Sequence, residues 1–466
     1  VFQSPAGFPV HLYLLSNGHR VIIEDRPSDA ISLRTFIGTG SINERPIYPS
    51  ALYAPHGAPS GLAHLDEHCH FLTTENYPQK YQWTAKLSEY GADFNATTSS
   101  EVIQHELLFN REDLPQMLAM HAESVLRPRY QPDLIALEKT NVINEIGERH
   151  RFPEAKIYNK LCELLFDRPD FQTSGTLSDI LGASVQDLTR FHQDWYTPTN
   201  MVTVLSGRVD PKATLLALDR EFGSVPARPQ TKTSAVNRLA LPPGQVRHAT
   251  VTDAQLNYGV VSLGFPAPPS NALKDRMAMQ LLALWLGDGP LSLLEDALKT
   301  RQRLVTELGI SYEPLKNAGW VHMTLHTQPH LVRQVAGQAM SQIEALRHAP
   351  PRPEQLDQLK ARLMNSFESG LENGFGDLSP VEAGSMSLGS EAMAQSLPFY
   401  LSFREILNAI TPQDIQRVAQ TYLQPNRYAV VYGLPGNGAP LAPQETSLLL
   451  AGTPGAPQAA TEEPSR

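Results

Sequence analysis

Few cysteines, no long apolar run and no basic block mark this chain, and each shortage excludes something. Cys69 and Cys162 are the only two cysteines among 466 residues; they build no disulfide framework and fix no redox compartment. The longest apolar runs, such as residues 280–286, are far too short to cross a bilayer. With a formal net charge of −10 and Lys and Arg scattered along the chain, nucleic acid is not expected as the main partner. The first residue is Val1 rather than Met, and the expectation is an exported, periplasmic protein rather than a cytoplasmic one. What remains is an ordinary globular composition, 41% hydrophobic and 18% charged. The chain is too long for one ordinary core, so two or more domains are expected.

Against that background one stretch carries chemistry. Residues 61–71 read Gly-Leu-Ala-His-Leu-Asp-Glu-His-Cys-His-Phe. His64 and His68 are four apart, so on a helix they project from one face, with Glu67 beside them. Two neutral imidazoles so placed form a clamp for zinc, and the neighbouring carboxylate can take a proton from a water on the metal. Ser60 is placed to cap the helix. Leu62, Leu65, Cys69 and Leu72 form an apolar stripe on the opposite side, which makes Cys69 a buried thiol rather than a ligand. His70 and His56, near the motif, are expected at the surface and not on the metal. An H-x-x-E-H arises by accident in a few per cent of chains this long, so a third ligand is required. Residues 132–149 read as a helix opening at Pro132 and offer Glu138, Glu145 and Glu148; Glu138 and Glu145 share a face, but spacing does not choose among the three.

The flanking segments give a coarse frame. Residues 10–15 and 20–24 around Asn17-Gly18 predict a hairpin. Residues 31–37 alternate apolar and polar like a half-buried strand. Residues 46–59 form a loop, residues 83–90 and 114–126 helices, and residues 102–109 a strand. An internal repeat relates residues 187–207 to 414–433: in each copy a helix leads through a Pro turn into a strand ending at Gly. A period of about 227 residues implies two copies of one domain, not a solenoid.

These features together resemble the inverted-motif zinc peptidases that include pitrilysin, insulin-degrading enzyme and mitochondrial processing peptidase, most of all the short two-domain bacterial-type members. In that family the third ligand is a Glu about 77 residues after the second His, which selects Glu145, and an acidic residue seven before it, here Glu138, supports a ligand histidine. Phe71 matches the Phe of the family's H-M-x-F. Residues 91–98 loosely match its Gly-Gly-x-x-Asn-Ala-x-Thr stretch, an edge strand that pairs with substrate, pointing to Asn95, Ala96 and Thr97. The resemblance implies an α+β fold of two homologous domains. Each would be a mostly antiparallel sheet with helices packed on one face, and together they would form a clam-like chamber. The expected division is a catalytic zinc-binding domain at 1–228, a linker at 229–245, a non-catalytic domain at 246–438 and a disordered tail at 439–466. It also implies one Zn²⁺ per chain, peptide or unfolded polypeptide substrates, and Glu67 as general base.

One departure stands out. Relatives present an Arg and, seven residues on, a Tyr after the second domain's Gly-rich turn. Here Lys299, Arg301 and Arg303 occur, but the next Tyr is Tyr312, too far along. Either these cations form a solvated helix face, or the chain is the zinc-bearing half of a heterodimer whose partner supplies the pair; a homodimer is the other assembly expected. Two further readings are a catalytically silent structural subunit, which would lose Glu67 or a ligand, and a structural zinc protein, which would close its site with four protein ligands.

Overall fold

The hairpin predicted at Asn17-Gly18 is present, with Val10 opposite Glu24 and Leu14 opposite Arg20. The computed structural model describes residues 1–44, 59–149, 151–166, 173–228, 241–287, 289 and 292–436. Residues 45–58 (with His56), most of the expected linker at 229–245 and the expected tail at 439–466 therefore lie outside the described residues. The first half runs β1 (Phe2–Gln3), β2 (Pro9–Leu14), β3 (Arg20–Asp25), β4 (Ala30–Ile37), α1 (Leu62–Cys69), α2 (Gln82–Glu89), β5 (Asp93–Thr98), β6 (Ile103–Asn110), α3 (Leu114–Leu126), α4 (Pro132–Arg149), α5 (Pro153–Leu165), α6 (Leu177–Gly182), α7 (Val185–Trp195), β7 (Met201–Gly207) and α8 (Pro211–Phe222). The second runs β8 (Val246–Asp253), β9 (Gly259–Ala267), α9 (Leu273–Gly287), β10 (Val305–Pro314), β11 (Gly319–Thr327), α10 (Val332–His348), α11 (Pro353–Asn373), α12 (Pro380–Met393), α13 (Leu397–Leu401), α14 (Phe403–Asn408), α15 (Pro412–Tyr422) and β12 (Tyr428–Pro435).

The duplication is visible in the sheets. The first is ordered β1-β2-β3-β7-β4-β6-β5 and the second β10-β11-β9-β12-β8. Read in reverse, β8-β12-β9-β11-β10 repeats β3-β7-β4-β6-β5. In each sheet one pair is parallel, β3 with β7 and β8 with β12, and the other pairs among the described strands are antiparallel. The sequence repeat falls on α7–β7 and α15–β12. Its first residues, Asp187 and Asp414, are the third-position carboxylates of capping boxes with Ser184 and Thr411, satisfying free N–H groups at both helix starts. At the far end of the repeat, Gly433 has no side chain because a Cβ there would lie 2.3 Å from Ile157 of α5.

That contact belongs to a feature the sequence did not announce: each half lends a helix to the other's sheet. Ile157, Leu161 and Leu165 of α5 pack with Val260, Trp320, Ala429 and Val431 on the second sheet. In return, Leu388, Ala392 and Met393 of α12 pack on Ile22, Phe36, Val202 and Val204 of the first. Within the first half the helices lie on one face of the sheet as expected, in a core with α1, α3 and α7; the other face is covered by α12 from the second half. The polar positions of β4 are explained too. Ser32 and Arg34 are fully buried, not solvated. Ser32 Oγ is 2.7 Å from Ser385 Oγ of α12, and the Arg34 guanidinium donates from Nε to Ser385, pairs with Glu106 and lies 3.8 Å from Glu382. Arg20 and Arg26 donate to the Ala392 and Leu371 carbonyls. A buried charge needs such partners, so this seam holds the halves in one relative position.

A second buried polar chain braces the first sheet from within. His19 Nε2 is 2.9 Å from Thr203 Oγ1, Thr203 is 2.9 Å from Thr35 Oγ1, and Thr35 is 2.9 Å from His121 Nε2 on α3. Burial lowers the pKa of both histidines to about 3, with Arg20 adding to the effect at His19. Both folded pKa values lie below the ordinary 6.5, so between about pH 6.5 and 3 the unfolded chain binds more protons. Their contribution is complete above pH 6.5 and is lost as pH falls, by about 1.4 kcal/mol per unit for each group. Urea unfolding followed from pH 7.5 to 5 should show stability falling once pH drops below 6.5, and His121→Gln should flatten the slope.

Candidate metal centre

Helix α1 is set in place before its ligands are considered. Gly61 precedes it at φ 81°, a left-handed conformation that also brings it where a Cβ would meet the Ser174 carbonyl at 2.5 Å. The free N–H groups of Gly61 and Ala63 donate to the Glu44 carboxylate at 2.6 and 2.5 Å, so Glu44, not Ser60, caps the helix. Ser60 is buried and its side chain makes no capping bond. Leu62, Leu65 and Cys69 are buried as the stripe predicted, and burial pushes the Cys69 thiol pKa well up.

On the other side of α1, His64 Nε2 and His68 Nε2 are 3.3 Å apart. From α4, Glu145 brings its carboxylate oxygens to 3.5 Å from His64 Nε2 and 3.6 Å from His68 Nε2. Among the described residues these three form the one group of His, Cys, Asp and Glu side chains close enough to hold a metal. A tetrahedral zinc shell with bonds of about 2.0–2.1 Å has edges of about 3.4 Å. The two imidazole nitrogens stand at that spacing, and Glu145 reaches each of them with a different carboxylate oxygen. With one atom from each residue the set lies within 4.8 Å, which three corners of such a shell can draw together, leaving the fourth open. Glu148, the remaining alternative, is exposed outside the triangle.

The neighbouring groups fix the protons. His68 Nδ1 is 3.2 Å from Glu138 Oε2, and Asn141 Nδ2 donates to the same oxygen at 3.0 Å. A proton on Nδ1 leaves the Nε2 lone pair facing the triangle. Burial opposes charge on His68, but the Glu138 bond and the nearby Glu145 and Glu67 outweigh it and raise its pKa. Burial likewise opposes ionisation of Glu138, and the bonds from His68 and Asn141 win, lowering it. His64 is lowered to about 3 by burial, then by His68 and Arg149. Glu67, beside the triangle, accepts a 2.5 Å bond from Thr98 Oγ1, and burial raises its pKa despite that bond.

Thr98 ends β5, which is the edge of the first sheet. Ala96 shares its face and is buried, whereas Asn95 and Thr97 are exposed on the other. The edge therefore runs past Glu67 with its outer backbone groups unpaired by any described strand. A cavity of about 1020 Å³ opens beside it, lined by Thr97, Thr98 and Arg149 from the first half and Glu313, Lys316 and Glu391 from the second. Both halves wall it.

Other residues emerge only in three dimensions. Asp66, between the ligands in sequence but on the buried side, accepts from Tyr130 Oη at 2.5 Å and lies 3.3 Å from His70 Nε2. His70 is not at the surface as expected; it is fully buried against His105, His192 and Tyr196, with ring centroids 4.6, 5.5 and 4.9 Å away. A helix that ends inside a packed layer buries its last turn whatever its polarity. No periodic signal marks Asp66, Thr98 or Asn141. Lys299 and Arg301 lie on an exposed π-helical turn and pair locally with Glu295 and Asp296; Arg303 is exposed beyond them. Tyr312 donates to the Pro268 carbonyl.

Comparison with known proteins agrees with this geometry. The family described as Insulinase (Peptidase family M16) matches residues 20–168, and the Peptidase M16 inactive domain matches residues 182–363. The chain belongs to peptidase family M16. Among M16 relatives, a protein of Mycobacterium tuberculosis named uncharacterized zinc protease Rv2782c is 25% identical, covering 92% of this chain and 94% of its own. A protease from Helicobacter pylori superposes with a TM-score of 0.80 at 20% identity, over 92% of this chain and all of that one. The first half of the periplasmic protease PqqL from Escherichia coli does so at 0.77 and 15% identity, over 99% of this chain and all of that half. These two likenesses show the M16 fold. In this M16 chain, Glu138→Ala should loosen His68 and weaken zinc binding by about 10–100-fold. Competitive titration with a chelator measures it.

Proposed function

We propose that the chain is a zinc metalloendopeptidase with one site per chain, built from His64, His68 and Glu145 as ligands and Glu67 as general base. The observation that carries this reading is the triangle of ligand atoms with an open corner and a buried carboxylate beside it. The retained Glu67 and open corner also argue against a silent subunit or a closed structural site. Its units are the homologous segments 1–228 and 246–438, joined by 229–245 and followed by the tail at 439–466, with only the first catalytic. The periplasmic setting of PqqL supports an exported location.

When bound, zinc supplies a Lewis acid and lowers the pKa of a coordinated water to about 7. Glu67 takes the proton from the attacking water at its carboxylate and later delivers it to the leaving amine. Its raised pKa suits it to both transfers. Glu138 keeps the His68 proton on Nδ1. The substrate lies extended along β5 at Asn95, Ala96 and Thr97, adding a strand by main-chain hydrogen bonds. A chamber walled by two halves that α5 and α12 lock together admits short or unfolded peptides in preference to folded proteins.

A second reading rests on one observation: Lys299 and Arg301, the candidates for the relatives' second-domain Arg, pair locally at the surface. In it the chain is active only with a related subunit that supplies the Arg–Tyr pair. The purified chain, zinc-loaded and alone, should cleave quenched fluorescent peptides, and Glu67→Gln should keep its zinc while losing at least about 100-fold in kcat. Bound zinc without cleavage would favour the second reading; no bound zinc would refute both.

A further inference from the structure

Resting on the peptidase reading, we propose that the large cavity between the halves selects acidic peptides, through the positive charges of Arg20, Arg149 and Lys316 on its wall, which no carboxylate among the described residues neutralises. The cavity of about 1020 Å³ is lined by these three cations and Arg276, and by the carboxylates of Glu101, Glu313 and Glu391. All three carboxylates are engaged. Glu391 is held by both terminal nitrogens of Arg276, at 2.6 and 2.8 Å, and by Ser396 Oγ. Glu313 accepts from Trp320 Nε1 at 3.0 Å, and burial raises its pKa, which weakens its charge. Glu101 accepts at 3.0 Å from the Lys316 backbone N–H rather than from its ammonium. The cations other than Arg276 meet neutral groups only. Arg20 donates to the Ala392 carbonyl and the Met393 sulfur, and Arg149 to Thr173 Oγ1 at 3.5 Å. Among the described residues, none of the three forms an ion pair.

That is a notable state for cations in this chain. With 48 Asp and Glu against 38 Lys and Arg, carboxylates are in excess. Elsewhere they find cations readily: Arg127 pairs with Glu123, Lys156 with Asp253 and Arg417 with Asp275. Two of the unpaired charges also border the metal centre. Arg149 is one turn beyond Glu145 on α4, and its charge helps to lower the pKa of His64. Lys316, in the turn between β10 and β11, lies against Glu101, three residues beyond Thr98, whose hydroxyl donates to Glu67. A peptide added to β5 with its cleaved bond beside Glu67 comes under both. Arg20 extends the positive wall to the end of α12, where Ala392 lies. The net charge of −10 would by itself repel an acidic peptide; concave walls of low dielectric concentrate the local field and reverse that within the cavity. An Asp or Glu side chain there gains a charge-assisted hydrogen bond from a guanidinium or ammonium. A Lys or Arg side chain meets like charge and finds the wall's carboxylates already taken.

The test compares quenched fluorescent peptides of one length and one central sequence, flanked by Glu, by Gln or by Lys. For the zinc-loaded chain, kcat/KM should be about tenfold or more higher for the Glu peptide than for the Lys peptide, with the Gln peptide between them. The difference should sit in KM and shrink as NaCl is raised from about 0.05 to about 0.5 M, because salt screens exposed charges. Lys316→Glu and Arg149→Gln are read by the ratio of Glu to Gln peptide, so that general damage to the enzyme cancels. Each should lower that ratio at least about threefold, with Lys316→Glu the larger effect. No preference, a preference for Lys, or a ratio unchanged in both variants overturns the proposal; the last would mean that acidic peptides merely bind the metal. If the zinc-loaded chain cleaves nothing, the peptidase reading has failed instead. The cavity is then judged by fluorescence anisotropy of the same peptides, labelled, on the intact chain. Binding of the Glu peptide about tenfold tighter than the Lys peptide, lost in Lys316→Glu, supports it, and equal binding overturns it.

Discussion

Two imidazole nitrogens and the two oxygens of one carboxylate converge, with contacts of 3.3, 3.5 and 3.6 Å, only because two helices are forbidden to move apart. Nothing in the three side chains themselves favours that arrangement. The Glu44 carboxylate pins the start of α1, Tyr130 holds Asp66 on its buried side, and from α4 Glu145 reaches both histidines while Glu138, two turns before it, holds His68. The metal centre is thus a property of the α1–α4 contact. The buried aromatic and imidazole layer around His70 is the bed on which that contact rests.

The duplication is used asymmetrically. Both halves share a five-strand order with one parallel pair, yet only the first carries the H-x-x-E-H helix. The exchange of α5 and α12 between sheets converts two similar layers into one body whose seam is buried and charged. The second sheet, besides walling the large cavity, brings Val260, His322 and Thr324 to the same cavity as residues of α5 from the first half. The copy without the H-x-x-E-H motif thus serves as a wall for the first.

Much of this was legible in the sequence. Helix spacing put His64, Glu67 and His68 on one face, the hairpin signal and Pro132 placed β2, β3 and α4, and the repeat from Asp187 and Asp414 marked the two equivalent helix-turn-strand units. What escaped has a physical cause in each case. The alternation of β4 reads as half-solvated because Ser32 and Arg34 are polar, and only the arrival of α12 from some 350 residues away shows that they face a buried seam. Ser60 has the right chemistry for a cap, but a carboxylate distant in sequence reached the N–H groups first. His70 looked like surface because polarity, taken alone, cannot report what packs against it. Glu145 was not separable from Glu138 and Glu148 by spacing, since all three sit on one helix and the choice depends on how that helix crosses α1.

The central claim is that one zinc ion is held by His64, His68 and Glu145. Zinc K-edge absorption spectroscopy on the purified, metal-loaded chain tests it most directly. The account predicts one zinc per chain, a first shell of nitrogen and oxygen only at about 2.0–2.1 Å, and the multiple-scattering signature of two imidazoles. Sulfur scattering at about 2.3 Å, which would bring in Cys69 or Cys162, or failure to retain zinc, would contradict it.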